Sequence, residues 1–398
     1  MKLGVVGTGQ FAGSFIHLWQ LHPGVEEIYC TDLVPERAEE HRQRFHLAGV
    51  HRDFAEMLDS DVDAVAIMTQ RWTHGELVLS ALEAGKHVYS AVPMASSASE
   101  IERIVARVAD TGLVYMMGET SYYNPAVIWA RQQIEAGVFG RVFYSEGDYV
   151  HDMDNGFYAA YQYSGGDNWK ATASYPPMLY PTHAIGGVLG AVPTYAVSVS
   201  CIGVPDDRGD GVFDKAVSMF DNDFSNMSAL FELADGGIMR TNELRRVGHP
   251  GGVHESRFRY YGTDAVMEQT STGAAFSDRS GIRDISELFY THERQVPGGD
   301  LTGLDPALVH SFRSGTAVVQ DRSRLPRELD GAPSGHEGSH HFLADDFVRA
   351  VNTGAQPVLN AWTAARFTMP GIVAMESARR QGARLPIPDL GPGPTAGN

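Results

Sequence analysis

The sequence has only two cysteines, Cys30 and Cys201, among 398 residues. Small domains that depend on disulfides carry a much higher density of cysteine, and Cys30 lies in a short apolar segment typical of a buried strand. This scarcity argues against a disulfide framework and favours a reducing compartment. The first apolar strand begins within the first few residues, which leaves no room for a signal peptide, so we expect a cytoplasmic protein.

Long apolar runs and excess positive charge are also missing. No stretch of about eighteen apolar residues occurs, which argues against a membrane span. Lysine and arginine number 31 against 49 acidic residues, and the formal net charge is -18. This charge disfavours nucleic acid and anionic membranes as partners. An anionic substrate would need a local basic pocket that opposes the overall field.

What is present at the start of the chain is a nucleotide-binding pattern. A short apolar strand, Leu3 to Val6, precedes the motif Gly7-x-Gly9-x-x-Ala12. Gly7 permits a tight turn, Gly9 lets the backbone approach a pyrophosphate, and Ala12 allows close packing of helix on strand. Strands then alternate with helices, which predicts a doubly wound parallel α/β sheet of the Rossmann type over residues 1–122.

The ends of the predicted strands indicate which cofactor binds. The second strand ends at Asp32, where a carboxylate can bind a ribose 2′-hydroxyl and repel a 2′-phosphate, so we predict NAD rather than NADP. Alternatively, Asp32 only caps the next helix. Trp72 follows another strand and either stacks on the cofactor or packs inside the protein. The predicted cofactor-binding residues are Gly7, Gly9, Gln10, Phe11, Ala12, Asp32, Thr69, Trp72, His74 and Pro93.

Residues 123–390 predict a second domain of the α+β class, with a large, mostly antiparallel sheet and helices on one face. Helices are expected at about Ala126–Ala136 and His183–Leu189, and residues 341–380 are expected to form helices that return to the first domain. The uncovered sheet face favours a homo-oligomer, a dimer or tetramer. Residues 391–398 are predicted to be a flexible tail.

Three stretches carry side chains suited to proton transfer. Glu119 follows a predicted strand in YMMGETSYYNPA, and Tyr149 lies in EGDYVHDM. Tyr180 and His183 flank a Pro-Thr turn in SYPPMLYPTHAIGG. Histidine titrates near neutral pH, and a tyrosine can act as a base where a positive neighbour lowers its pKa. The alternatives are structural: Glu119 as a salt-bridge partner, and the Tyr-Pro-Thr-His turn as a capped helix start.

The chain resembles the Gfo/Idh/MocA oxidoreductases over nearly its whole length. The resemblance rests on the glycine loop, on LEAGKHVYSAVP, and on the C-terminal FLADDFVRAVNTG and AARFTMPGIVAMESARRQGARLPIPD. Members usually have Glu-Lys-Pro where this sequence has Ala91-Val92-Pro93, and that lysine commonly contacts the hydroxyl being oxidised. Its absence argues against an ordinary lysine-assisted dehydrogenase.

Further motifs resemble the NAD-dependent glycosidase branch of that family, which includes N-acetylgalactosaminidase-type and sulfoquinovosidase-type enzymes. They are LYPTH before a glycine-containing helix, the Glu after YMMG, and Val-Pro in place of Lys-Pro. The resemblance implies transient oxidation of the sugar at C3, removal of the C2 proton, elimination of the aglycone from C1, water addition and re-reduction. It also implies an active site lined by Glu119, Tyr149, Tyr180 and His183. We assign His183 to the C3 hydroxyl and Tyr149 or Tyr180 to the C2 proton.

Cations in so acidic a chain are candidates for binding an anionic sugar group, and the candidates are Lys170, Arg245, Arg246 and His249. Simple surface positions are the alternative. Together with the missing secretion signal, these candidate cations favour a small imported anionic glycoside, such as a sulfoquinovoside, as the substrate. No metal is expected, because the run HDMD has no second cluster at ligand spacing. Two rival functions stay open: a conventional NAD-dependent sugar or polyol dehydrogenase, and a non-catalytic NAD-binding regulator.

Overall fold

The computed structural model describes residues 1–248, 255–291 and 315–394. Its first sheet is built from the strands Lys2–Val6 (β1), Glu27–Thr31 (β2), Gly49–Val50 (β3), Ala64–Ile67 (β4), His87–Ser90 (β5) and Tyr115–Met117 (β6). The strand order is β3-β2-β1-β4-β5-β6, and every pairing is parallel. Strand β4 is buried along its whole length, as a parallel strand covered on both faces must be. The predicted Rossmann sheet is confirmed.

Helices cover both faces of this sheet. They are Gln10–Leu21 (α1), Pro35–Phe45 (α2), Phe54–Asp59 (α3), His74–Glu83 (α4) and Ala98–Thr111 (α5). Helix α5 shows how the sequence sets its bounds. Ser97 and Glu100 form a capping box at its start, and Gly112 adopts the left-handed conformation that ends it.

The second sheet is large and mostly antiparallel, as predicted. Its strands are Val142–Val150 (β7), Ala196–Pro205 (β8), Phe224–Leu233 (β9), Ile238–Leu244 (β10), Ser256–Gly262 (β11), Ala265–Gln269 (β12), Ala274–Asp278 (β13), Gly281–Asp284 (β14) and Leu385–Pro386 (β15). The order is β14-β13-β12-β11-β7-β10-β9-β8-β15. The pairing of β7 with β10 is parallel, and the other pairings are antiparallel.

Six further helices accompany this sheet in the described part of the chain. They are Pro125–Glu135 (α6), Tyr158–Gly165 (α7), Trp169–Ala173 (α8), Thr182–Ala191 (α9), Ser339–Thr353 (α10) and Ala361–Arg379 (α11). Helix α10 packs against α1, and α11 packs against α5 and β8, so the core is continuous between the two sheets. Cys30 and Cys201 are both buried and unpaired within it.

Within residues 1–248, 255–291 and 315–394, no helix covers one face of the nine-stranded sheet. Ile202 and Leu230 lie there with 58% and 51% of their surface exposed. Next to them Glu146 forms ion pairs with Arg240 and Arg259. Contact with a second copy through this face remains a proposal. Among the described residues, no helix combines the length and apolar character needed to cross a membrane.

Candidate active site

Helix α9 places His183 at the centre of the site. All ten residues of α9 are buried, because the helix lies between β7 and the segment that follows β6. Gly147 of β7 faces this helix, and a Cβ there would lie only 2.3 Å from the backbone oxygen of Ala184. Only glycine permits so close an approach. The approach brings the His183 ring within 4.6 Å of the Tyr149 ring, centre to centre.

His183 forms a hydrogen-bonded chain with Glu119 and Tyr180. Its Nδ1 lies 2.9 Å from Glu119 Oε1, and its Nε2 lies 3.1 Å from the Tyr180 hydroxyl. A carboxylate only accepts, so Nδ1–H donates to Glu119 and Nε2 is left to accept the proton of Tyr180. Burial alone would raise the pKa of Glu119, but the charge and hydrogen bond of His183 hold it below its usual value. The arrangement is a histidine oriented by a buried carboxylate.

Tyr149 is paired with a second histidine. Its hydroxyl lies 2.7 Å from His151 Nδ1, and His151 Nε2 lies 2.7 Å from the backbone oxygen of Asn155. The carbonyl requires a donor, so Nε2 carries the proton and Nδ1 accepts from Tyr149. Phe157 stacks on the His151 ring at 4.0 Å. Burial lowers the pKa of His151, which keeps the ring neutral and able to accept the hydrogen bond of Tyr149.

The two tyrosines face each other across one small space, with ring centres 6.0 Å apart. Burial raises the pKa of both phenols, and that of Tyr149 well above its usual value. The charge of Arg71 opposes this rise at Tyr180. In the chain alone the tyrosine pKa values are therefore raised, not lowered, and each phenol has a histidine nitrogen as its proton acceptor.

A pocket adjoins the two tyrosine–histidine pairs, and both domains contribute to it. Arg71, which sequence reasoning missed, donates to the Tyr161 hydroxyl at 2.6 Å, and its guanidinium lies 4.2 Å from the centre of the Tyr180 ring. The signal was available, since Arg71 follows β4 at the carboxyl edge of the sheet, where ligands bind. The pocket is lined by Arg71, Met153, Phe157, Tyr161, Ala173, Tyr175, Pro176, Pro177, Tyr180, Phe213 and Arg245.

Of the cations predicted to bind substrate, Arg245 alone is among the residues that line this pocket. Lys170 is exposed on α8 near the Trp169 ring. Arg246 forms ion pairs with Asp206 and Asp210, so its charge is already compensated. The structure therefore places neither side chain in the lining of this pocket, and substrate binding by them stays a prediction. His249 lies outside the described residues.

The loop between β1 and α1 is shaped to receive a dinucleotide. Gly7 has a φ of +89°, and a Cβ added to Gly9 would meet only open space. Helix α1 starts without a side-chain cap, so its first N–H groups remain available to phosphate oxygens. Asp32 holds this loop by accepting from Thr8 N at 2.7 Å. Val34, not Asp32, is the N-cap of α2, so the capping alternative does not describe Asp32.

Two other residues predicted to bind the cofactor, His74 and Trp72, make structural contacts within the protein. His74 is fully buried, with Nδ1 2.7 Å from the oxygen of Pro93 and Nε2 3.1 Å from that of Thr69. It therefore ties the turn after β5 to the turn after β4. Trp72 packs against Phe220, with ring centres 5.4 Å apart, as its packing alternative expects.

Comparison with known proteins supports a nucleotide-binding site at the loop between β1 and α1. Residues 1–119 match the family model of the Gfo/Idh/MocA oxidoreductases, described as an NAD-binding Rossmann fold. The first domain is a Gfo/Idh/MocA NAD-binding domain. The predicted NAD cofactor and the predicted family of this first domain are thereby confirmed.

Relatives extend the similarity to the second domain. A glycosyl hydrolase family 109 protein of Saccharopolyspora erythraea is 23% identical, over 98% of this chain and 83% of that protein. An alpha-N-acetylgalactosaminidase of Bacteroides fragilis is 33% identical, over 32% of this chain and 31% of that enzyme. Levoglucosan dehydrogenase, solved with NADH and levoglucosan, superposes with a TM-score of 0.72 at 18% identity, covering 98% of this chain and all of that one. That likeness shows a shared fold.

No other lysine of the chain lies at the site to replace the lysine that is absent before Pro93. The sequence contains four lysines, Lys2, Lys86, Lys170 and Lys215. Lys2 and Lys215 pair with surface carboxylates, and Lys86 donates to two backbone carbonyls at the far edge of the first sheet. Lys170 is exposed on α8. The tyrosine and histidine side chains, and not a lysine, are therefore the groups suited to proton transfer at this site.

Replacing Asp32 by Ala is expected to weaken NAD binding about tenfold and to reduce discrimination against NADP. The carboxylate supplies an acceptor for ribose hydroxyls and a negative charge that repels a 2′-phosphate. Calorimetric titration of the apoprotein with both nucleotides measures this. Asp53→Ala, which removes an exposed helix cap in the same domain, is the matched control. Unchanged NAD and NADP affinities in the Asp32 variant would contradict the assignment.

Proposed function

We propose that the protein is an NAD-dependent glycosidase that hydrolyses a small anionic glycoside, such as a sulfoquinovoside, without net oxidation or reduction. The observation that carries this proposal is that two tyrosine–histidine pairs, Tyr180–His183 and Tyr149–His151, lie together beside one pocket, which Tyr180 lines. Oxidation of a hydroxyl group needs one proton acceptor, whereas oxidation followed by elimination needs at least two. Similarity to glycosyl hydrolase family 109 proteins supports the same reaction class.

The hydrogen bonds support the following roles of the side chains in proton transfer. Bound NAD supplies reversible hydride transfer at C3 of the sugar. His183, oriented by Glu119, takes the C3 hydroxyl proton at Nε2, directly or through the Tyr180 hydroxyl. The C3 ketone acidifies the C2–H bond, and Tyr149, having passed its own proton to His151, removes the C2 proton.

The remaining bond changes complete a hydrolysis. The electron pair from C2–H forms the C1–C2 double bond and expels the glycosidic oxygen, which takes up a proton. Water then adds across this double bond, with its oxygen at C1 and a proton returned to C2. His183 would return the proton to the C3 oxygen, and the hydride that a bound NAD supplies would return to the C3 carbon, so the whole reaction is a hydrolysis without net oxidation or reduction. The paired carboxylates of ordinary glycosidases are not needed.

Uncompensated positive charge in the pocket supports an anionic substrate. Within the described residues no carboxylate pairs with Arg71. Arg245 lies 2.8 Å from Glu243, but burial raises the pKa of Glu243 to about 8 against the opposing effect of Arg245. At neutral pH Glu243 is therefore mostly protonated, and it leaves the Arg245 charge in place. Arg71 without a carboxylate partner in the described part of the chain, and Arg245 beside a mostly protonated Glu243, favour an anionic ligand.

The proposal is tested with chromogenic glycosides, neutral and anionic, in the presence and absence of NAD⁺. We expect aglycone release without accumulation of NADH, and faster cleavage of anionic substrates such as 4-nitrophenyl sulfoquinovoside. Accumulation of NADH with free sugars and no aglycone release would instead identify a dehydrogenase. Tight NAD binding without turnover of any glycoside would overturn the proposed enzymatic function and favour a non-catalytic NAD-binding regulator.

A Tyr149→Phe variant tests the assignment of the C2 base. In deuterium oxide the wild type is expected to exchange the C2 proton of the sugar, and the variant is expected to lose most of this exchange. Tyr144→Phe is the matched control, because Tyr144 lies on the same strand and donates to Glu146 on the open sheet face. Exchange that persists in the Tyr149 variant would exclude Tyr149 as the base.

A further inference from the structure

His336 lies beside the site in a backbone conformation that histidine rarely adopts. His336, Glu337 and Gly338 have φ values of +46°, +56° and +88°, so three successive residues are left-handed just before α10. Gln320 holds this turn by donating to the backbone oxygens of Glu337 and Tyr123 at 2.7 and 2.8 Å. Two left-handed residues with side chains persist only where the surroundings enforce them, and such places cluster at ligand sites.

The ring of His336 borders both halves of the site. It lies 6.2 Å from the His183 ring, centre to centre, with an angle of 21° between the planes. On its other side the Phe11 ring meets it edge-on at 5.8 Å. Phe11 follows the glycine loop by two residues. His336 therefore contacts helix α1 next to the glycine loop. It also adjoins His183, the proposed acceptor of the sugar hydroxyl proton.

A second histidine fixes where His336 carries its proton. His336 Nδ1 lies 2.7 Å from His340 Nε2, and the Nδ1 of the fully buried His340 has no hydrogen-bond partner. A buried N–H without an acceptor is rarer than an unused lone pair, so His340 carries its proton on Nε2 and donates it to His336 Nδ1. Burial lowers the pKa of His336 to about 3, so the ring is neutral.

His336 then has its own proton on Nε2. Among the residues that the structure describes, none accepts a hydrogen bond from this Nε2–H. The group is a neutral donor, set in one tautomer and placed next to His183. Rings whose centres are 6.2 Å apart are close enough for their Nε2 atoms to bind two neighbouring hydroxyl groups of one pyranose, each at about 3 Å.

The geometry points to His336 as a substrate-binding residue whose Nε2–H donates to the sugar oxygen next to the one deprotonated by His183, with His340 as the positioning residue that sets the tautomer. The nature of the ligand rests on the proposed function. The placement of the proton on His336 does not.

His336→Asn tests the donor in the holoenzyme, since asparagine tolerates the left-handed backbone. With 4-nitrophenyl sulfoquinovoside we expect kcat/KM to fall about 10- to 100-fold, while NAD affinity and Tm stay close to wild type. His46→Asn is the matched control, because His46 is an exposed left-handed histidine at the end of α2. A kcat/KM for the His336 variant within twofold of wild type would overturn the assignment.

Two substitutions of His340 separate positioning from packing. His340→Gln keeps a donor toward His336 Nδ1, whereas His340→Phe keeps the aromatic packing against Phe11 and Phe15 but removes the donor. We expect the Phe variant to lose as much kcat/KM as His336→Asn and the Gln variant to recover most of it. A Gln variant that is no better than the Phe variant would show a structural role only.

Long-range ¹H–¹⁵N spectra of the histidine side chains test the tautomer in the wild type, without any turnover. The signal of His336, identified by its loss in His336→Asn, is expected to show protonation at Nε2, with a shift on addition of sulfoquinovose. Protonation at Nδ1 would overturn this inference even if glycosides are cleaved. If no glycoside is cleaved but the Nε2–H tautomer is found, the proposed function fails and the proton assignment stands.

Discussion

His183→Asn is expected to lower kcat about a thousandfold, with NAD binding retained, because it removes the acceptor for the sugar hydroxyl proton. Glu119→Gln is expected to cost about a hundredfold, although Glu119 is fully buried and acts only through His183. The amide oxygen can still accept from Nδ1–H, but it no longer supplies the negative charge that stabilises the protonated ring. Under the proposed function, Glu119 is therefore a positioning residue, and His183 is the catalytic one.

The double variant distinguishes this relation from two independent effects. If Glu119 works through His183, combining both substitutions lowers kcat no further than His183→Asn alone. Multiplication of the two losses would show that Glu119 acts on the reaction by another route. Glu376→Gln, an exposed carboxylate in an ion pair on α11, is the control for loss of a glutamate charge. Stopped-flow measurement of aglycone release with bound NAD gives kcat for each variant.

The first domain was predictable almost in full because its signals are local. The glycine loop, the apolar strands and the caps of helices such as α5 are each contained in a few consecutive residues. In the second domain, the large, mostly antiparallel sheet and the helices α6 and α9 were also predicted. The hairpin of β13 and β14 has a weak sequence signal, since β14 is exposed along its whole length and shows no alternation of apolar and polar residues. The short helices α7 and α8 gave no clear periodicity either.

The site was predictable only in part, for a different reason. Glu119 and His183 are 64 positions apart and meet through the packing of α9 on β7, which no local pattern records. The family resemblance, and not their spacing in the sequence, predicted that both residues line one active site. Arg245 and Arg246 were equal candidates in the sequence, yet the first lines the pocket and the second pairs with aspartates outside it. Neighbouring residues of an extended segment point to opposite sides, and sequence alone does not say which side faces the ligand.

Arg71→Gln is expected to produce the second large effect, and this effect should depend on the substrate. For an anionic glycoside we expect kcat/KM to fall about a hundredfold, mainly through KM, because a charge-assisted hydrogen bond to the anionic group is lost. For the neutral analogue with a hydroxyl in place of the acidic group we expect a change of less than about threefold. Arg71→Lys should recover part of the loss, since it keeps the charge but not the planar pair of donors.

The pH dependence of KM gives an independent test of positive charge in the pocket, through Arg245 and its neighbour Glu243. Since the pKa of Glu243 is raised to about 8, this carboxyl is protonated below that pH and ionised above it. Ionised Glu243 compensates Arg245, so the KM for anionic substrates should rise as the pH passes through 8, while that for neutral ones should not. Glu243→Gln should abolish this rise. Lys170→Gln supplies the contrast: the exposed lysine should affect neither substrate, and a selective loss of the anionic one there would place the anion site at α8 instead of at Arg71.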